Sequence, residues 1–416
     1  MTIAAHIADG AGAAPWVARY EPGVDADLPA SDALFSDLVA SAAASAPTFP
    51  ALECLGRRLS YAALHALAER VAAALARDGF AHGQRVLIAL PECAERIAAT
   101  LGVLRAGGVV VPVETGDGAT ARAASVGCAV VIARRELAGA LDGASSRLVV
   151  VDPERVLPPI VRLLARVARA RRRPLPPSPR EAVLWPDWLR GPTLEAPPPP
   201  PDAPALEVGG VTFHHRHLVA AAAQLRAWLT DAVPGGETWL VLAPSTSALG
   251  CVAVLGSAAA LRARVVVLPA WEGIDVVDAL RTYQPTWVVA DQAAVERLAT
   301  DPVLAWADMR SVRAWLVGGV LSPDIARSFE EATGIQPCAG LTAPSAAGLL
   351  TCQPVNGRRA AGTAGLPLPG VDVAVLPGGR LALSSPTIEG DAGRGTLVVA
   401  GTLDAEGYLR IPAELS

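Results

Sequence analysis

Few side chains in this sequence are placed to do chemistry. Three of the six histidines fall in one run, His214, His215 and His217. An i, i+2 pair with a third imidazole beside it is a candidate metal-binding cluster. No carboxylate or cysteine stands next to it, however, and the spacing is unlike that of zinc sites, so no metal is expected. The six cysteines, Cys54, Cys93, Cys128, Cys251, Cys338 and Cys352, are scattered and form no CxxC pair. Such scatter in a long chain suits a reducing compartment rather than a zinc site or a disulfide framework. All 35 basic residues are arginine, and lysine is absent. Any mechanism that needs a lysine, whether on a phosphate loop or in a Schiff base, is therefore excluded within this chain.

Composition narrows the partners further. The 416 residues are 52% hydrophobic, enough for a large core, and the net charge of −5 carries no cationic excess. A nucleic-acid partner is not expected, because such partners call for a basic footprint. Residues Met1–Tyr20 lack the basic start and apolar run of a signal peptide. The uncharged stretch Thr238–Leu261 is long enough to span a bilayer, but Pro244, Ser245, Thr246, Ser247 and Gly250 interrupt it. A strand at Trp239–Leu242, a loop and a buried helix at Leu249–Leu261 fit better, since buried elements of α/β proteins read as continuous apolar runs. A cytoplasmic location is expected, with peripheral membrane association as the alternative.

The elements that would position a site alternate in type. In the first half, strands are expected at Arg85–Leu90, Val109–Val113, Ala129–Ala133 and Arg147–Val151, with helices opening at Leu59–Ser60–Tyr61 and spanning Ala94–Ala106 and Ala119–Ala124. Alternation of this kind predicts a parallel sheet covered on both faces. Ile160–Arg173 interrupts it with apolar residues set among six arginines. Two readings stand: a solvated surface helix or mobile insertion, which the short apolar face favours, and a helix in weak contact with an anionic membrane surface. Five prolines at Pro197–Pro201 form a stiff linker. Alternation then resumes from His217 to Thr333. Near the end, Val371, Val373 and Val375 alternate, Pro377–Gly378–Gly379 turns, and Leu381 and Leu383 resume the pattern as a β-hairpin. The expected organisation is a first α/β subdomain at 30–196 with an Arg-rich insertion at about 155–196, a second α/β subdomain at 202–365, and a small β subdomain at 366–416.

Four segments in this order carry a resemblance. LSYAALHALAERVAAALARDGFAHGQRVLIALPECAERIAATLGVLRAGGVVVPV (Leu59–Val113) contains the turn Leu104–Arg105–Ala106–Gly107. SVRAWLVGGVLSPDIARSFEEATG (Ser311–Gly334), GTAGLPLPGVDVAVL (Gly362–Leu376) and LDAEGYLRI (Leu403–Ile411) come after it. Together they resemble the large N-terminal domain of the AMP-forming acyl-CoA synthetases, the adenylate-forming superfamily, from about Leu34 to Ile411. The resemblance implies two doubly wound, mostly parallel sheets with covering helices and a small C-terminal β subdomain. It also implies chemistry: a carboxylate attacks ATP, an acyl-adenylate and pyrophosphate form, and the acyl group passes to a thiol such as coenzyme A. ATP, Mg²⁺ and coenzyme A would be the cofactors of an active member.

This sequence departs from that pattern wherever ATP must be held. The family cradles phosphates with a loop of the form TSGTTGxPKG. Here Ala205–Leu206–Glu207 resembles the strand before the loop and Gly210–Leu218 resembles the segment after it, with Val208 and Gly209 alone between them. Ala243–Leu249 (APSTSAL) is the nearest substitute, but it lies downstream and lacks the glycines. The family's Mg²⁺-binding glutamate stands directly after a threonine; here Thr342 is succeeded by Ala343, which offers a hard cation no oxygen. The ribose-binding aspartate falls at or next to Val399, and no aspartate stands between Arg394 and Leu403. Glu414 sits near the position of the family's hinge arginine, and the small C-terminal domain is not expected in this chain. No catalytic residues, metal or cofactor are therefore expected. What the resemblance leaves is a vestigial acyl and adenine pocket lined by Gly318, Gly319, Gly340, Leu341, Thr342 and His215. The expected function is that of a degenerate, catalytically inactive acyl-CoA-ligase-like protein. It would bind an acyl or aryl small molecule, or act as the accessory of a partner protein, in lipid or secondary metabolism. The alternative is a divergent or split ligase completed by a partner chain.

Overall fold

A computed structural model describes residues 14–411 apart from 116–117, 119–121, 123–124, 153–178, 180, 193–196 and 391–392. Ile160–Arg173, Glu414 and all of the expected helix Ala119–Ala124 except Arg122 lie outside the described residues. The chain divides into two compact units that do not follow chain order. One comprises Leu34–His215 and Arg264–Ala270; the other comprises Met1–Ala33, Arg216–Ala263 and Trp271–Ser416.

In the unit containing Leu34–His215, the expected strands build one seven-stranded sheet. Its order is Val183–Leu184, Arg147–Val151, Val130–Arg134, Arg85–Ala89, Val109–Pro112, Pro204–Val208 and Val211–His214. Every pairing is parallel except the last, where Val211–His214 returns antiparallel at the edge. Val86, Leu87, Ile88 and Ala89 are all fully buried, which is why this strand reads as an unbroken apolar run. The helix Tyr61–Arg77 is capped by Ser60, whose hydroxyl accepts from the Ala63 N–H. It packs on Ala94–Arg105 at close range: a Cβ added to Gly102 would lie 2.4 Å from the Val71 Cβ. The hairpin Pro50–Cys54 with Arg57–Ser60 was not read from sequence; its first strand pairs in parallel with Arg264–Val267, some two hundred residues away along the chain.

The other unit carries four parallel strands in the order Thr238–Val241, Trp287–Asp291, Ala314–Gly318 and Cys338–Gly340. The run from Thr238 divides as its prolines and serines dictate. A strand ends at Val241, Ser247 caps the helix Ala248–Val252, and a π-helical turn at Ala253–Ser257 leads into Ala258–Ala260. No helix among the described residues is long and apolar enough to cross a membrane. The tail forms the expected antiparallel β element from Asp372–Leu376, Arg380–Ser385 and Gly395–Ala400. The fold is thus α/β, with two mostly parallel sheets and a small antiparallel β element near the end of the chain.

Under the four parallel strands lies a buried carboxylate. Glu237 has a fully buried side chain that accepts from the Val233 N–H (2.6 Å), Thr286 Oγ1 (2.5 Å), Trp287 Nε1 (2.9 Å) and Arg313 (3.2 Å). Those donors belong to the entries of three neighbouring strands. One side chain therefore ties the strands together at the N-terminal edge of the sheet, and each of these four donors has its partner.

Candidate ligand site at the strand ends

In a parallel α/β sheet, ligands gather at the C-terminal ends of the strands. There Gly318 stands opposite Gly340 in register, and the Gly319 N–H donates to the Gly340 carbonyl at 2.8 Å. The Leu341 N–H donates to Thr351 Oγ1 at 2.9 Å, and the Leu350 N–H to the Leu341 carbonyl at 2.8 Å. Five of the expected site residues, Gly318, Gly319, Gly340, Leu341 and Thr342, are thereby brought together. Each glycine has a packing reason. Gly319 has φ +123°, which favours glycine. At Gly340 a Cβ would lie 1.9 Å from the Thr351 carbonyl oxygen. At Gly318 it would lie 2.3 Å from Leu249 Cδ2, with Thr342 Cγ2 at 3.1 Å.

Leu249 is the feature that sequence reasoning missed. It lies in the first turn of the buried helix Ala248–Val252 and is 7% exposed. It lies directly on the Gly318 backbone beside Thr342, so an aliphatic side chain fills the space that the glycine leaves. The loop that delivers it is tight. Ser247 Oγ donates to the Pro244 carbonyl at 2.8 Å and accepts from the Gly250 N–H at 3.1 Å, and a Cβ at Gly250 would lie 2.2 Å from the same carbonyl oxygen. No spacing rule in the sequence pairs residue 249 with residue 318.

His215 belongs to the other compact unit. It is fully buried at the start of the helix His215–Trp228, and its Nδ1 accepts from the Phe35 N–H at 3.1 Å. Burial, with a smaller contribution from the neighbouring His214, lowers its pKa to about 4. The ring is therefore neutral near pH 7 and acts as a backbone acceptor. His217 lies in the unit that begins at Arg216, so the histidine run is divided between the two units. Among the described residues no group of three His, Cys, Asp or Glu side chains could hold a metal ion. All six cysteines are buried and none is in a disulfide. Burial pushes the thiols of Cys54 to about 12 and of Cys128 and Cys338 to about 11, and raises those of Cys93 and Cys352 well above the ordinary range. None of these five is a ready nucleophile.

Where the resemblance implies a phosphate loop, the chain makes a two-residue turn. Val208 pairs with Val211 across an antiparallel hairpin, and the link is Gly209 (φ +60°) and Gly210 (φ +87°). Two successive positive φ values are those of a tight hairpin turn, which has no room to wrap a polyphosphate. Ala343 comes after Thr342 in the turn that its carbonyl closes with the Ala346 N–H. A methyl side chain there does not fit Mg²⁺, which takes oxygen ligands. Val399 sits within the strand Gly395–Ala400, paired with Leu381. The nearby Asp404 is committed to its own turn, accepting from the Glu406 and Tyr408 N–H groups at 3.0 and 2.9 Å.

Residues 39–206 and 209–409 match the AMP-binding enzyme family. The chain belongs to this family. The match breaks at Glu207–Val208, just before the Gly209–Gly210 turn. Within the AMP-binding enzymes the chain is similar to the long-chain-fatty-acid–CoA ligase of Bacillus subtilis (strain 168), at 23% identity over 96% of this chain and 75% of that protein. It is also similar to the 3-hydroxybenzoate–CoA ligase of Aromatoleum sp. (strain CIB), at 24% identity over 88% of this chain and 68% of the relative. Its fold resembles the crystal structure of an anthranilate CoA ligase in complex with anthranoyl-AMP, with a TM-score of 0.74 at 17% identity, covering 92% of this chain and 78% of that one. The chain is thus an acyl- or aryl-CoA-ligase-like member of the adenylate-forming enzymes.

Proposed function

We propose that this chain is a degenerate adenylate-forming protein that binds an acyl or aryl ligand at the strand ends of the Gly318 sheet and does not adenylate it. Its role would then be that of a binding or accessory protein in lipid or secondary metabolism. The observation that carries this reading is the Gly209–Gly210 turn. A phosphate loop works by aiming several backbone N–H groups and hydroxyls at one polyanion, and a hairpin turn of two glycines offers neither the number nor the concavity.

The other two changes point the same way and lie in different parts of the chain. Ala343 supplies no ligand for a cation that would bridge the phosphates, and Val399 offers no acceptor to ribose hydroxyls. Phosphoryl-type chemistry is almost entirely positioning and electrostatic stabilisation. Loss of one such donor costs about 3–4 kcal/mol of transition-state stabilisation. Groups that act as a unit are not additive, yet the loss of the whole unit leaves no useful rate. The strand-end residues around Gly318 and Gly340 do not depend on these groups, so ligand binding there can outlast catalysis.

The test is calorimetric titration of the purified chain with Mg·ATP and, separately, with a non-hydrolysable acyl- or aryl-adenylate analogue, beside an assay of pyrophosphate release. The expected result is analogue binding with neither micromolar Mg·ATP binding nor pyrophosphate. Tight Mg·ATP binding would overturn the reading and favour a divergent ligase, completed within or outside this chain.

A further inference from the structure

At the opposite edge of the other sheet, where the strands Arg85–Ala89, Val130–Arg134 and Arg147–Val151 begin, the surface carries a groove of about 500 Å³. It is lined by His82, Gly83, Gln84, Arg85, Gly127, Cys128, Ala129 and Ser146. Its volume falls within the range of small-molecule sites, but its lining is polar where such sites are mostly apolar. It lies at the N-terminal ends of its strands, away from the edge where this fold class places its ligands. Nothing in the proposed function uses it.

The side-chain groups of its lining suit one kind of ligand. Among the eight lining residues there is one guanidinium, one imidazole and one carboxamide, and no carboxylate. Gln84 Oε1 already accepts from the Ala81 N–H at 2.9 Å, so its amide NH₂ is the end left to donate. Arg85 is 44% exposed and uses its Nε for Glu207 Oε2 at 2.8 Å. The other Glu207 oxygen takes Arg122 at 2.6 Å. Two guanidiniums therefore share one carboxylate, which leaves one positive charge in surplus at the wall of the groove. The Arg85 Nη groups have no partner among the described residues.

The loop that presents these groups is held in place. The Gln84 N–H donates to the Ala81 carbonyl at 3.2 Å and the Gly83 N–H to the Gly107 carbonyl at 2.8 Å. The His82 ring packs on Gly107, where an added Cβ would lie 2.8 Å from its Cδ2. A fixed set of donors does not have to be ordered when a ligand arrives. Three donors within four successive residues, His82 to Arg85, suit a tetrahedral anion with three free oxygens better than a planar carboxylate with two.

We propose that this groove is a binding site for a phosphoryl group, carried by a small phosphorylated molecule and held by Arg85, Gln84 and His82. Cys128 lies buried in the floor and contributes contact rather than chemistry. The site is open, so its affinity is modest and falls as salt screens the guanidinium.

The test titrates inorganic phosphate, phenyl phosphate and benzoate by calorimetry into the full chain and three variants. Arg85→Gln removes the cation. Gln84→Glu keeps the acceptor for the Ala81 N–H and replaces the donor with a carboxylate, which decides the matter if Arg85→Gln fails to fold. Arg190→Gln removes an arginine that is 79% exposed and lies outside the groove. Both phosphates are expected to bind the parent and Arg190→Gln alike, and to bind the two groove variants about tenfold more weakly or worse. The proposal is overturned if the parent binds neither phosphate, if all four proteins bind equally, or if Arg190→Gln loses as much as Arg85→Gln. Benzoate that binds as tightly as phenyl phosphate, and is lost in Gln84→Glu, would reassign the groove to carboxylates. Any ATP binding abolished by Gln84→Glu belongs to this groove and not to an adenylation site. Binding of the adenylate analogue is expected to be the same in all four proteins, so the two readings stand or fall separately.

Discussion

Replacing Leu249 by alanine tests the packing at the strand ends most directly. The side chain is 7% exposed and lies on the Gly318 backbone with the Thr342 methyl alongside. Truncation of a buried leucine costs about 2.7–5 kcal/mol, rising with the cavity that remains. Two features limit how far this site can collapse. The Ser247–Pro244–Gly250 loop is cross-bonded, and Gly318 has no side chain to move inward. A further feature lowers the cost, because the position is at the end of the sheet and not in its middle. The expectation is a loss of about 3 kcal/mol, read from the denaturant midpoint with an unchanged slope. The cavity so formed opens where the ligand site is placed. A small aryl compound that fills it should restore stability in proportion to RT ln(1 + [L]/Kd) in the variant and much less in the parent. A loss under about 1 kcal/mol would refute the packing argument, since a buried leucine cannot be removed so cheaply. A full loss with no aryl rescue would keep the packing and refute its place in the ligand site.

Buried polar groups supply two further expected outcomes. Glu237→Ala leaves the donors of Val233, Thr286 and Trp287 without their acceptor and Arg313 without its counter-charge; a loss of about 3–5 kcal/mol is expected in chemical denaturation, and a loss of a few tenths would show that water replaces the carboxylate. His215 gives a pH dependence. Burial first, and His214 second, hold its pKa at about 4, below the ordinary 6.5. The unfolded chain therefore binds the extra proton first, so this contribution is present above about pH 6.5 and lost as pH falls through about 4. The parent should lose about 3 kcal/mol over that window relative to His215→Asn, which keeps an acceptor for the Phe35 N–H. Parallel stability curves for the two proteins would refute the assignment.

Much of this molecule was legible along the chain. Apolar runs at Arg85–Ala89 and Trp287–Asp291 and amphipathic stretches between them announced a parallel α/β protein, because strands buried on both faces and their covering helices carry different periods. The short link between Leu206 and Val211 was also legible, since the number of residues between two segments is a one-dimensional feature; the structure adds the two positive φ angles that make it a hairpin. The identities of Ala343 and Val399 needed no coordinates either.

What the chain could not announce are contacts between residues far apart in sequence. Arg264–Val267 leaves its sequence neighbours to pair with Pro50–Cys54. Leu249 reaches Gly318, Glu237 gathers Thr286, Trp287 and Arg313, and Glu207 draws Arg85 and Arg122 to one carboxylate. Local sequence governs backbone preference and the period of burial. Which side chains meet depends on strand order and on the angle at which each helix returns, and these result from packing the whole core at once. The sequence by itself therefore determined the fold class and the short link at Gly209–Gly210, and the tertiary structure alone decided that Leu249 packs on Gly318 and where the groove beside Arg85 opens.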